Sequence, residues 1–364
     1  MSRVFGTALS LLMVLLTLSF LGCEGDQGPQ GSQGAQGDDG ADGRDASTDP
    51  PGDMIFGLAI TNNSEFNQNG NTQIRLTFDQ SAEPSEDVVV CYKLDKPPVI
   101  DGQDQGIEDW GSDEFTISSI PLTNLRGIDN RISFADIRAG YDDKYIYFMV
   151  SWQEIVDASQ GLAATADWFP GRWRLQIIGR DSTWSRQPVT EDQMYLFWDI
   201  SGVDGWAANG SDLLYHDDDS TLYLSGSGLV DVWHWKAGRT GLIGYFDDEY
   251  ITGATPSVQD DHGSAGYVDN VFDSLPRWMH KDGILAAGED ISPPFQLWNT
   301  VPFNVSLKWP NNATIIGFVS VMPTGGRADI ECSGKDSWNP GAGDRWTMEF
   351  RRLRNTGHGD DVKF

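Results

Sequence analysis

The sequence predicts an all-β protein, a β-sandwich with long loops, that follows an exported N-terminal segment and a flexible tether. Apolar and polar residues alternate with a period of two in several short stretches, which predicts half-buried strands. Clusters of Gly, Asp and Pro separate these stretches, and no amphipathic helical pattern exceeds two turns. Many short strands divided by turn residues are typical of β-sandwiches and related all-β folds.

The N-terminus predicts export and lipidation. Arg3 precedes the apolar run Leu9–Leu21, which is too short and wrongly flanked for a stable membrane span but fits the core of a signal peptide. The small Gly22 before Cys23 matches the processing box of bacterial lipoproteins. We therefore expect residues 1–22 to be a signal peptide and Cys23 to carry the lipid that anchors the chain to a membrane. Ordinary secretion, with Cys23 as a chance residue, is the alternative.

Residues 23–52 are predicted to form a flexible linker after the lipidated cysteine. Glycine recurs at every third position from Gly25 to Gly43, as in collagen, but the repeat is short and contains one proline, Pro29. A triple helix needs more triplets and more imino acids, so we interpret the repeat as a hydrated spacer, with a trimeric stem as the alternative. The anchored domain is expected in the bacterial cell envelope, on the periplasmic side or at the outer membrane. Glu24 favours the outer membrane.

The charge of the chain limits its partners. The formal net charge is −29 at pH 7, with 54 acidic and 25 basic residues. Nucleic acid is not expected as a partner because phosphate binding needs a basic face, and an anionic membrane surface is disfavoured for the same reason. The lipid must therefore supply the membrane attachment. An acidic surface suits solubility, bound divalent cations such as Ca²⁺, or a basic redox protein partner.

Strands are predicted in two regions. Residues 53–94 form an N-terminal β segment, which either packs onto the main sheets or forms a small module. Residues 95–364 form the main domain, in which Lys144–Trp152 predicts a strand that is buried on both faces. The other predicted strands, in chain order, are Ile55–Thr61, Thr72–Phe78, Val88–Leu94, Arg174–Ile178, Gln193–Ile200, Thr314–Val321 and Trp346–Arg351.

Two cysteines remain once Cys23 is lipidated. Cys91 and Cys332 lie near the start and the end of the folded region. A disulfide suits an oxidising compartment, but two separate buried thiols are an equal alternative, because the sequence does not give the Cα separation that decides between them.

Several catalytic motifs are absent from the sequence. It contains no phosphate-binding loop, no nucleophile elbow, no His-Glu-x-x-His and no Cys-x-x-Cys-His, so covalent c-type haem is excluded. The densest cluster of candidate residues is Asp231–Arg239. If this stretch is extended, Trp233 and Trp235 face one way while His234 and Lys236 face the other. A His and a Lys on one face are donors for a metal or a haem iron. The alternative is a core strand with an exposed His–Lys face.

From about residue 95 to residue 364, the chain resembles the haem-binding domain family of the ethylbenzene dehydrogenase γ subunit, also described as cytochrome c-552/DMSO-reductase-like. The matching stretches are Pro97–Gly102 with Asp109-Trp110, Ala139–Trp152, Thr190–Trp198, Asp231–Arg239, and Gly343–Leu353 with Thr356–Phe364. The resemblance implies a β-sandwich akin to family 9 carbohydrate-binding modules. It also implies a b-type haem and electron transfer, as an accessory subunit of an oxidoreductase rather than as an enzyme itself.

The resemblance implies that a Met and a Lys hold the haem iron. Met194 and either Lys236 or His234 are the matching metal ligands, and Met322 is a second Met candidate. The implied cofactor-binding set is Met194, Trp233, His234, Trp235, Lys236, Arg239 and Met322. Many lipoprotein relatives carry a cysteine shortly before the Trp-His-Trp-Lys stretch, but Gly205–His216 has none. The haem would therefore be bound without a covalent link.

A second class of function stays open. A haem-free module that binds carbohydrate or another ligand would use exposed tryptophans such as Trp168, Trp173 and Trp184, because sugar rings stack on aromatic faces. A hydrolase is the least favoured function. The acidic pairs Asp142-Asp143 and Asp360-Asp361 are typical of solvated turns or Ca²⁺ ligands rather than of an acid–base pair.

Overall fold

The computed structural model describes part of the second of two units into which the chain separates, Met1–Asp42 and Gly43–Phe364. The described residues are 51–61, 68–103, 110, 117–127, 132–153, 172–178, 181–187, 192–200, 202–216, 221–237, 239–253, 258–266, 278–280, 300–304, 306, 314–318, 321–339 and 343–364. The predicted signal peptide, the lipidated Cys23 and the glycine repeat lie outside these residues. Within the described ranges, no helix has both the length and the apolar character needed to cross a membrane.

The described chain is built mainly of strands, which confirms the all-β prediction. The strands are β1 Met54–Thr61, β2 Gln68–Thr77, β3 Val88–Lys93, β4 Ser118–Pro121, β5 Thr123–Arg126, β6 Phe134–Tyr141, β7 Tyr145–Gln153, β8 Arg172–Ile178, β9 Asp181–Gln187, β10 Gln193–Asp199, β11 Leu229–Lys236, β12 Asp247–Thr252, β13 Gln259–Asp260, β14 Gly263–Ser264, β15 Trp278–His280, β16 Thr300–Pro302, β17 Thr314–Phe318, β18 Thr324–Gly325, β19 Ile330–Asn339 and β20 Gly343–Leu353. One helical turn, Trp206–Asn209, continues as the 3₁₀ segment Gly210–Leu214.

Most strands belong to one large mixed sheet. Its order is β13-β12-β11-β10-β1-β2-β3-β6-β7-β20-β19, with β4 beside β6 and β5 beside β2. Neighbours are antiparallel except β3, which runs parallel to both β2 and β6. A five-stranded sheet, β16-β15-β17-β8-β9, and the short pair β14-β18 complete the described topology.

The N-terminal β segment lies in the middle of this sheet. β1 pairs with β10, with Phe56 opposite Trp198, and β3 pairs with β6, with Cys91 opposite Ala139. Residues 53–94 therefore pack onto the main sheet, which is the first of the two predicted alternatives. Their strands join two parts of that sheet and do not form a separate module.

The sheet curls so that its two halves face each other across an aromatic interior. From β10 and β11, Trp198 and Trp233 contact Phe148 of β7, with ring centroids 5.8 Å and 6.0 Å apart. Trp235 packs edge-on against Trp346 of β20 at 4.9 Å. All of these side chains are buried. One curled sheet thus encloses the core, and the finer prediction of a two-sheet sandwich stays a prediction.

A second apolar core covers the other face of β10 and β11. Its members include Phe197, Val232 and Ile251, and Trp206 from the helical turn joins them. Gly57 permits this close packing, because a Cβ there would lie 1.9 Å from Oγ of Ser211. Both faces of β10 and β11 are therefore buried, which accounts for their nearly continuous runs of large apolar residues.

The segment before β4 is fastened to the sheet by Glu349 of β20. The Glu349 carboxylate accepts hydrogen bonds from the backbone N–H groups of Asp101 and Gly102, both at 2.9 Å. It also accepts one from the indole of Trp110 at 3.0 Å. Gly102 has a φ of 77°, which an L side chain rarely adopts. The Pro97–Gly102 stretch and Trp110 thus have a structural role.

Cys91 and Cys332 are both free and buried. Burial raises the pKa of each thiol well above its usual value. The structure therefore shows the second alternative, two separate buried thiols, and not a disulfide.

Candidate functional site

Strand β11 divides its side chains as the sequence predicts. Trp233 and Trp235 lie in the aromatic interior, whereas His234 and Lys236 lie on the opposite face of the strand. The predicted alternative of an exposed His–Lys face is wrong, because His234 is 5% exposed and Lys236 is 2% exposed. A buried imidazole beside a buried ammonium requires polar partners.

His234 has a partner at each ring nitrogen. Nε2 lies 2.6 Å from Oε1 of Gln193, and Nδ1 lies 3.0 Å from Oε2 of Glu249. The ring stacks on Tyr195 with centroids 3.9 Å apart. Burial, together with the positive charge of Lys236, holds the pKa of His234 well below its usual value. Burial therefore favours the neutral imidazole, which is the form that ligates metals, although both ring nitrogens face an oxygen atom.

Lys236 is held by two carboxylates from the neighbouring strand β12. Its Nζ donates to Asp247 and, at 2.9 Å, to Glu249. The guanidinium of Arg327 also binds Asp247 and reaches Asp260 at 2.7 Å. Opposite charges thus alternate across the end of β11, β12 and β13, and this compensates for their removal from water.

The remaining predicted ligands lie elsewhere. Met194 is opposite Trp235 in the register of β10 and β11, so it shares the interior face and is separated by the sheet from His234 and Lys236. Met322 is 60% exposed. Arg239 is half-buried in the turn after β11, where its backbone N–H donates to the Lys236 carbonyl at 3.2 Å.

The described residues do not fit the expected Met–Lys ligation of one haem iron. Met194 and Lys236 point to opposite faces of the sheet. The space between the two halves of the sheet is filled by Trp198, Trp233 and Trp235 together with Phe148 of the facing half. Of the predicted ligands, His234 and Lys236 share one face, and both are engaged with carboxylates.

A family model for ethylbenzene dehydrogenase matches residues 127–364, more than half of the chain. The chain belongs to the ethylbenzene dehydrogenase family. The match contains β7, β10, β11 and β20, which carry most of the aromatic interior and the His234–Lys236 face. The family suggests an oxidoreductase-associated subunit. No curated protein sequence matches the chain.

A second polar group, which the sequence did not predict as a site, lies within the part that matches the ethylbenzene dehydrogenase family. Arg352 of β20 is fully buried and binds Asp231 of β11 at 2.7 Å and Asp361 of the C-terminal tail at 2.8 Å. Two of the resembling stretches, Asp231–Arg239 and Thr356–Phe364, therefore meet in space. The sequence does show Asp231 next to the Trp-rich strand and Asp361 in the tail. It does not show that both carboxylates pair with Arg352.

The features of the ligand-binding alternative are only partly described. Trp168 lies outside the described residues, and Trp173 and Trp184 lie in the paired strands β8 and β9. His216 is a loop residue that stacks on Tyr223 with centroids 3.8 Å apart. It lines a cleft of about 440 Å³ with Asn124, Leu125, Arg126, Gly127, Asp212, Tyr215 and Thr221.

Proposed function

We propose that this chain is a membrane-tethered envelope subunit that binds a non-covalent b-type haem and transfers electrons for an oxidoreductase partner. Membership of the ethylbenzene dehydrogenase family supports the association with an oxidoreductase. The Gly22-Cys23 processing box and the glycine repeat support the tether, and the net charge of −29 suits a basic protein partner.

The observation that carries the haem part of this proposal is the pairing of two nitrogen donors on one buried face. His234 and Lys236 are two residues apart on β11, so their side chains lie on the same face of the strand, away from the filled aromatic interior. Burial favours the neutral form of His234, the form that ligates a metal, and ligation would replace the contact of one ring nitrogen with Gln193 or Glu249. Lys236 donates to Asp247 and Glu249. The proposal accordingly assigns the haem to the His234–Lys236 face, with His234 as the first ligand, and it does not include Met194.

An absorption spectrum of the full chain tests this function. The chain is expressed with haem supply, exported, and purified in mild detergent. We expect a Soret band and, after reduction with dithionite, sharp α and β bands, because a low-spin six-coordinate haem gives these features. Treatment with acidified acetone must extract the haem, since the sequence has no attachment motif.

Two comparisons make the result decisive. His234→Gln should remove or shift the Soret band, whereas the control His216→Gln, at a loop histidine that stacks on Tyr223, should leave the band unchanged. A colourless wild-type protein under haem supply would contradict the haem assignment. If that colourless protein bound glycans, the ligand-binding module would be the better account.

A further inference from the structure

Three carboxylates converge at the end of the interior, away from the His234–Lys236 face. They belong to Asp231 in β11, Asp248 in β12 and Asp361 in the C-terminal tail. One oxygen of each lies within 4.8 Å of the others, and none of the three residues is more than 1% exposed. Like charges at this separation, removed from water, repel one another strongly.

The protein satisfies only part of this group. Oδ2 of Asp231 accepts hydrogen bonds from Arg352 at 2.7 Å and from the backbone N–H of Val362 at 2.8 Å. Oδ1 of Asp231 and Oδ2 of Asp248 are buried and have no hydrogen-bond partner among the described residues. Oδ2 of Asp248 is thus a buried carboxylate oxygen without a donor in a group of three carboxylates, and such atoms are rare in proteins unless an ion or a water completes them.

The charges of the cluster do not balance. Three carboxylates surround one guanidinium, that of Arg352, so two negative charges remain if all three side chains are ionised. Asp329 and a protonated His358 do not change this count, because they add one negative and one positive charge: Nδ1 of His358 lies 3.0 Å from Asp329 and 3.4 Å from Asp361. An uncompensated buried charge costs several kcal/mol, and a divalent cation supplies the charge that is missing.

We propose that one carboxylate oxygen from each of Asp231, Asp248 and Asp361 binds a divalent cation, and that Ca²⁺ is the ion that fits best. All three ligands are hard oxygen donors, and no His or Cys belongs to this trio, which argues against Zn²⁺. Ca²⁺ takes six to eight oxygens in flexible geometry, so water completes the shell. The ion would tie the C-terminal tail to β11 and β12.

A neighbouring trio, Asp261, His358 and Asp361, is a weaker candidate. Its ligand atoms also lie within 4.8 Å of one another. His358, however, is 39% exposed at its side chain and pairs with Asp329, so this trio already contains a cation. Desolvation lowers the pKa of His358, but the charges of Asp329 and Asp361 outweigh it and raise the pKa, which favours the protonated imidazole and disfavours a metal there.

Metal titration of the full chain tests the proposal. After removal of metals with EDTA, calorimetry should show one Ca²⁺ per chain, and Tm should rise on Ca²⁺ addition and fall again with EDTA. Tb³⁺ in place of Ca²⁺ should luminesce on excitation of tryptophan, because the ring of Trp233 lies 5.1 Å from the Arg352 guanidinium. The wild-type titration is sufficient to overturn the proposal, which fails if no Ca²⁺ binds.

Asp248→Asn identifies the site. The change removes one negative ligand but no hydrogen bond seen in the structure, so the metal-free variant should unfold at the same Tm as wild type or above it. We expect its Ca²⁺ affinity to fall at least tenfold. The control Asp143→Asn changes a carboxylate that is 94% exposed and should bind Ca²⁺ like wild type. Equal affinity in Asp248→Asn and wild type, or loss of binding in Asp143→Asn, contradicts the assignment.

Discussion

At the scale of single residues, burial decides which charged groups matter. Arg351 and Arg352 are consecutive in β20 and point to opposite faces, so the first lies near the surface and the second lies in the interior. Both form ion pairs of similar length, 2.6 Å and 2.7 Å. The sequence does not distinguish the two arginines, because the difference arises from the strands that face them.

Removing the buried arginine should be far more harmful than removing the exposed one. Arg352→Leu leaves Asp231 and Asp361 without their guanidinium, and we expect the free energy of unfolding to fall by about 3–5 kcal/mol in EDTA. Arg351→Leu removes a part-exposed pair with Glu331 and the contact of the guanidinium with the Tyr145 ring at 4.9 Å, and should cost less than about 1 kcal/mol. Urea unfolding followed by tryptophan fluorescence measures both. Equal losses in the two variants would show that the buried network contributes little.

His234 should make the fold sensitive to acid. Its pKa is lowered in the folded state, so below about pH 6.5 the unfolded chain binds a proton that the folded chain does not. This contribution is absent above pH 6.5, and stability falls as pH decreases from there, by at most about 1.4 kcal/mol per pH unit. His234→Gln lacks this titration. The free-energy difference between wild type and His234→Gln should therefore become less favourable to wild type from pH 7.5 to pH 5.0, and a constant difference would contradict a buried neutral imidazole.

At the scale of elements, the apolar strands were predictable and the acidic ones were not. β7 and β10 follow from runs of large apolar residues, with bounds close to those observed. β12 was missed because Asp247-Asp248-Glu249 has the composition of a turn. In the fold, Lys236 and Arg327 neutralise Asp247, and Lys236 also binds Glu249, so the acidic strand is buried beside β11. These partners are distant in sequence, and no local pattern reveals them.

The Glu349 contacts should hold the Pro97–Gly102 segment against β20. Glu349→Ala removes the acceptor of the Asp101, Gly102 and Trp110 hydrogen bonds, and hydrogen bonds to charged groups contribute about 1.5–3 kcal/mol each. We expect a loss of at least 3 kcal/mol and faster hydrogen exchange at the amides of Asp101 and Gly102. Glu331→Ala, at an exposed carboxylate of β19, is the matched control. Unchanged exchange at these amides in Glu349→Ala would contradict this role.

At the scale of the whole molecule, the sequence correctly predicted the ethylbenzene dehydrogenase family and the all-β class. It did not predict which of the proposed haem ligands lie on the same face of the sheet. The alternation of β11 correctly separated Trp233 and Trp235 from His234 and Lys236. The pairing of Met194 with Lys236 required the register of β10 and β11, which places Met194 on the interior face. A register cannot be read from either strand alone, because it is set by the packing of both.

Ligand substitutions in the haem-loaded full chain test the central claim, that the cofactor lies on the His234–Lys236 face and not in the aromatic interior. Lys236→Arg retains the positive charge between Asp247 and Glu249 but replaces the amine next to His234, and Met194→Leu nearly retains the volume of an interior side chain. Circular dichroism confirms that each variant is folded before spectra are compared. We predict that Lys236→Arg shifts the Soret and reduced α bands and that Met194→Leu leaves them unchanged. Bands that respond to Met194→Leu but not to Lys236→Arg would contradict the account.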